Sequence, residues 1–111
     1  MVSENDPVVR IQTLVATGRY RVCLHAVRHM IEEGFDENQL LEAVAGKLHL
    51  LEDYPEESRC LLLGRFHFSS TTTSPLHILC DLSAKDVVDI VTAYIPQRPW
   101  WVSATQRGKR T

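Results

Sequence analysis

The sequence predicts an α+β fold: N-terminal helices packed on a mainly antiparallel four-stranded sheet, in a single domain spanning 1–111. Three observations carry this. Over residues 6–45 apolar side chains recur at helical spacing between recognisable caps. After Gly46 the period changes from helical to alternating, and strands follow to about residue 96. Within Asp86–Pro96 the run Val87, Val88, Ile90, Val91, Thr92, Tyr94, Ile95 is β-branched and aromatic on both faces, the pattern of an inner strand covered on both sides. Helices followed by strands indicate an α+β layer fold.

Asp6-Pro7 starts the first helix, an N-cap acceptor before a proline at the first helical position. Val8, Ile11, Leu14 and Val15 form its stripe and Gly18 ends it. Arg19, Tyr20 and Arg21 read as a short connection. The second helix runs roughly Cys23 to Glu33 and stops at Gly34. Its apolar stripe is Cys23, Val27, Met30 and Ile31, while His25, Arg28, His29 and Glu32 share another face. Asp36 with Gln39 three residues on is a capping-box start for the third helix, whose stripe is Leu40, Leu41, Val44 and Ala45.

Strands follow at Leu48–Tyr54, Arg59–Phe68 and Pro75–Leu82, with a polar hairpin loop over residues 69–74 and a turn at Ser83–Lys85 before the last strand. In Pro75–Leu82 the alternation puts Leu76, Ile78, Cys80 and Leu82 on one face, and His77, Leu79 and Asp81 on the other. Thr92 and Tyr94, two apart, face one side and would line the region of His77 if their strands pair. The tail, 97–111, holds Trp100, Trp101, Arg107, Lys109 and Arg110. The tryptophan pair reads as a lid on the core, or as an aromatic surface for a protein partner or a base.

Twelve Lys and Arg stand against 14 Asp and Glu, a net charge of -2, so any nucleic-acid footprint has to be local. Cys23, Cys60 and Cys80 lie far apart with no C-x-x-C pair, which fits reduced, buried thiols in a reducing compartment. The start is polar and acidic, without the features of a signal peptide, and no apolar run approaches a membrane span. The expectation is a cytoplasmic protein with no membrane partner.

No nucleophile elbow, phosphate-cradling glycine loop or paired-carboxylate motif is present. His25 and His29, four apart on a helix, have a spacing that can hold zinc, but no third ligand follows at motif spacing, so a solvated polar face is favoured and no metal site is expected. His77 is a core or cross-strand histidine or a proton-transfer group. Arg65 ends a strand face, and together with Arg28 and the tail residues Arg107 and Arg110 it can hold phosphate.

Two stretches carry a resemblance. Val9–Val44 contains a helix, the turn Gly18-Arg19, the pair His25-Ala26, then Arg28 and Gly34 before the helix start at Asp36. Leu61–Trp100 contains L-L-L-G-R, P-L-H-I-L and I-V-T-A-Y-I-P followed by tryptophan. This order resembles the family called domain of unknown function 4258, and the layout of the first stretch is similar to the N-terminal part of the MqsR ribonuclease toxins. The resemblance implies the RelE-like toxin fold, metal-independent cleavage of mRNA with no cofactor, and a bacterial type II toxin–antitoxin operon. The partners it implies are RNA, free or on the ribosome, and a small antitoxin, MqsA-like with a zinc-binding N-terminal segment. By position, His25 or His77 takes the proton-transfer role, Arg65 and Arg28 stabilise phosphate, and Tyr94 orients it or donates a proton. The alternative is a non-catalytic protein-binding or regulatory module that retains the fold.

Overall fold

The computed structural model describes residues 6–96. Among these residues the elements are α1 (Pro7–Ala16), β1 (Tyr20–Val22), α2 (Leu24–Glu33), α3 (Glu37–Ala45), β2 (His49–Tyr54), a 3-10 turn (Pro55–Glu57), β3 (Arg59–His67), β4 (Thr73–Asp81) and β5 (Val88–Tyr94). The fold is α+β, with three helices and a five-stranded mixed sheet in the order β1-β5-β4-β3-β2.

Local chemistry sets the helix ends. The Asp6 carboxylate accepts from the Val8 N–H at 2.9 Å, and Pro7 occupies the first turn, where a missing N–H costs nothing. Asp36 and Gln39 close both arms of a capping box, at 2.9 and 2.8 Å. Gly34 stops α2 in the left-handed conformation, φ 79°, which a side chain would disfavour.

β2 through β5 form an antiparallel meander, as the sequence predicts. The expectation of four strands is wrong by one. Tyr20–Val22, read as connection, is a strand that pairs in parallel with β5, Tyr20 opposite Val88 and Val22 opposite Ile90. It makes the sheet mixed and gives β5 a neighbour on each side. β4 also begins two residues earlier than expected, at Thr73.

All three helices lie on one face of the sheet. Ile11 and Leu14 of α1, Ala26 and Met30 of α2, and Leu40, Ala43 and Val44 of α3 are buried against Leu62, Phe66, Leu76, Ile78, Cys80, Val88, Ile90 and Ala93. Not every expected stripe member joins this core: Cys23, Val27 and Leu41 are only half-buried, Ile31 is 76 % exposed, and Ala45 is exposed while Ala43 is buried. Cys60 and Cys80, opposite each other on β3 and β4, are buried free thiols. Burial pushes Cys60 up to about 11 and raises Cys80 well above the ordinary thiol value, while Cys23 is only half-buried.

One irregularity decides what the other face carries. The β4–β5 register shifts between Leu79 and Cys80: Thr92 stands opposite Leu79, but Ile90 opposite Cys80, so Val91 is an extra residue. Val88 and Ile90 face the helices. Strict alternation would put Thr92 and Tyr94 there too. The bulge turns them to the opposite face and gives their place in the core to Ala93.

Candidate functional site

The face away from the helices carries the polar and aromatic candidates. At one end a charged row crosses it. Arg21 grips Asp89 with two bonds, 2.6 and 3.0 Å, and Arg59 donates to Asp81 at 3.0 Å. Arg21 stands opposite Asp89, and Asp81 opposite both Asp89 and Arg59, so the register itself builds the row. Hydrogen bonds from Ser83, then the Arg59 guanidinium, hold Asp81 below the usual carboxylate range.

Further along, the register sets His49, Leu63, His77 and Tyr94 in one line across β2, β3, β4 and β5. His77 is fully buried, with Nδ1 3.3 Å from the Tyr94 hydroxyl and its ring 5.2 Å from the tyrosine ring. Beside them the Thr92 hydroxyl is buried with no hydrogen-bond partner among the described residues. Leaving such a group unpaired costs about 1–3 kcal/mol.

α2 reaches the same place. The Cys23 N–H donates to the Ile90 carbonyl at 3.0 Å, tying the helix start to β5. At the other end Glu33 accepts the Ile95 N–H at 3.1 and 3.3 Å. Burial raises the Glu33 carboxyl above its ordinary value, against the opposing pull of that bond and of His29. His29 Nδ1 lies 3.8 Å from Glu33, and its ring packs 6.3 Å from Tyr94 on one side and 4.9 Å from His25 on the other. His25, His29, Tyr94 and His77 therefore form an unbroken chain of ring contacts, from an exposed helix face to a buried strand.

Of the residues the sequence singles out, the fold brings together His25, His77 and Tyr94, with Arg28 exposed one turn along α2 from His25. Arg65 stands apart. It is exposed on β3, two strands from β5, in a cleft with Lys47 and His49. Arg107, Arg110 and the Trp100-Trp101 pair lie outside the described residues. Sequence reasoning gave no site role to Glu33, Lys47 or His49. The spacing of His29 and Glu33, four apart on a helix, was the available signal for the first. No group of three or more His, Cys, Asp or Glu with metal-ligand geometry occurs among the described residues. No described helix is long and apolar enough to cross a membrane.

Such an arrangement defines a small α+β domain with an imidazole–phenol cluster where one helix meets the central strand. Residues 24–95, from the start of α2 to just past β5, match the family described as domain of unknown function (DUF4258). The chain belongs to that family. No curated protein and no solved structure matches it.

Proposed function

We propose that this domain is an RNA-cleaving toxin of a type II toxin–antitoxin pair, with a RelE-like fold, acting on mRNA in the cytoplasm without a metal and held in check by a small antitoxin. The observation that supports it is the contact chain His25–His29–Tyr94–His77, which gathers groups able to move protons near neutral pH beside an exposed arginine. Cleavage of this type needs a base for the 2′-hydroxyl, a cation on the phosphate and an acid for the leaving 5′-oxygen. His25, exposed at the head of the chain, takes the 2′-hydroxyl proton. The 2′-oxygen then bonds to phosphorus and the 5′-oxygen leaves with a proton from the Tyr94 side of the cluster. Arg28 balances the charge that develops on the phosphoryl oxygens. His77, fully buried, acts as a positioning residue for Tyr94 and does not touch RNA.

A second reading, a non-catalytic protein-binding module, is favoured by one feature. Leu24 and Ile31, seven apart on α2, are 66 % and 76 % exposed, with Arg28 between them. Induced expression in a bacterial host tests the choice. Growth arrest with fragmented RNA for the wild type, and neither for His25→Ala, fits the toxin. Normal growth and intact RNA with folded wild-type protein leaves the binding module.

A further inference from the structure

Between β2 and β3 a cleft of about 300 Å³ is lined by Lys47, His49, Leu63, Gly64 and Arg65. Its three cationic or titratable side chains are exposed and its floor, Leu63, is buried. Elsewhere the basic groups of this acidic chain are often engaged: Arg21 by Asp89, Arg59 by Asp81, His67 by Glu42, and Arg10 by the carbonyls of Ala84 and Lys85. Lys47, His49 and Arg65 form no ion pair or hydrogen bond with another side chain among the described residues. The carboxylate of Glu52, further along β2, takes the Tyr54 hydroxyl. Charges on an edge strand also deter pairing with another sheet. That accounts for Lys47 and His49 on the edge side, but not for Arg65, which projects from an inner strand.

We propose that this cleft holds a backbone phosphate of single-stranded RNA, a second binding site that rests on the ribonuclease reading and extends it. Lys47 and Arg65 supply the charge, and the His49 ring over the Leu63 floor offers a face on which a neighbouring base stacks. His49 and Tyr94 share one cross-strand line three strands apart, about 14 Å at ~4.8 Å per strand. The cleft thus binds the chain to one side of the cleavage point rather than at it.

The test is fluorescence anisotropy of a labelled single-stranded RNA over a range of salt concentrations, in a His25→Ala background so that the RNA stays intact. Each phosphate contact contributes roughly 0.7 to the slope of log K against log salt. With one phosphate held, the Lys47→Ala/Arg65→Ala protein is expected to lose about 0.7 from that slope, and at least tenfold in affinity at low salt, with an unchanged melting temperature. Arg65→Gln alone should show half the slope change, and it serves as the readout if the double variant folds poorly. An unchanged slope and affinity overturns the cleft while leaving the ribonuclease reading intact. Binding that the substitutions remove, in a protein whose wild type cuts no RNA, keeps the cleft and discards the catalysis. Failure of the chain to bind RNA overturns both. Equal and equally sensitive binding of a poly-glutamate peptide would assign the cleft to an acidic protein segment and overturn the RNA assignment.

Discussion

Replacing Gly64 by alanine tests how closely α3 is pressed onto the sheet. A methyl group built at Gly64 meets the Ala43 carbonyl oxygen at 2.6 Å, and the Ala43 carbonyl carbon and Cβ at 3.0 Å. Ordinary carbon–oxygen contacts lie near 3.3–3.6 Å, so the helix has to retreat by roughly 0.7 Å or more. Overpacking of this kind costs about 1–3 kcal/mol. Removing a glycine from the unfolded chain returns about 0.4–1 kcal/mol. The net expectation is a loss of about 1–2 kcal/mol. At about 2.1 cal/mol/K per residue over 111 residues, that lowers Tm by about 4–9 °C in a thermal melt. The clash is mainly with backbone, so adding Ala43→Gly relieves only the Cβ contact and costs about 1 kcal/mol of helix propensity, leaving the double variant no more stable than Gly64→Ala. A Gly64→Ala protein melting within 1 °C of wild type, or a double variant restored to wild type, would refute the close approach.

Two glutamates should titrate with opposite sign. Hydrogen bonds from the His67 ring and N–H hold Glu42 below its usual range, so the stability it gives is present above the ordinary carboxylate pKa and is lost as pH falls through the folded value. Between about pH 5 and pH 3 the urea midpoint of the wild type should fall more than that of Glu42→Gln. Glu33 is raised by burial, so its contribution is present at low pH and lost as pH rises through the folded value. Glu33→Gln should therefore match or exceed the wild type at pH 7 and lose that advantage near pH 4; the reverse order would show that the carboxylate is stabilised as a charge. Deleting Val91 removes the bulge and leaves Ile90, Thr92, Ala93 and Tyr94 opposite Cys80, Leu79, Ile78 and His77 in an unbroken register, so Thr92 and Tyr94 keep their face. Circular dichroism should show that the shortened chain still melts cooperatively, and loss of the cooperative melt would mean that the strand does not close up over the missing residue. In native protein iodoacetamide should label Cys23 first, with Cys60 and Cys80 reacting only on unfolding, because their thiolates are disfavoured by burial. Mass spectrometry of the labelled peptides reads the order, and Cys60 labelling at the rate of Cys23 would contradict the burial.

The local part of this fold is written locally. Asp6-Pro7, Asp36 with Gln39, and Gly34 each act within a few residues of themselves, and each is a cap in the structure as in the sequence. The parallel strand at Tyr20–Val22 is not of that kind: three residues form it, and its partner lies almost 70 positions away. Even so, the sequence held a clue. A run apolar on both faces at 87–95 demands an inner strand, but the last strand of a four-stranded meander sits at an edge, so the two expectations required a fifth strand. The pairing of Thr92 and Tyr94 with the His77 face was legible only as a condition. Which face they take depends on the Val91 bulge, and a register shift leaves no mark on residue identity. Arg65 was legible as a strand-end cation, whereas His49 comes from the strand paired with its own and Lys47 from the bend just before that strand, so both could be found only through the register.

The most direct measurement is in vitro cleavage. Purified protein is incubated with a 5′-labelled single-stranded RNA, with and without a chelator, and the products are resolved by length and end group. The account predicts cuts that survive chelation, leave a 2′,3′-cyclic phosphate and a 5′-hydroxyl, and fall by two or more orders of magnitude for His25→Ala, in line with the loss of a general base. Intact RNA in the presence of folded wild-type protein would contradict it, returning the histidines to a structural role and the domain to partner binding.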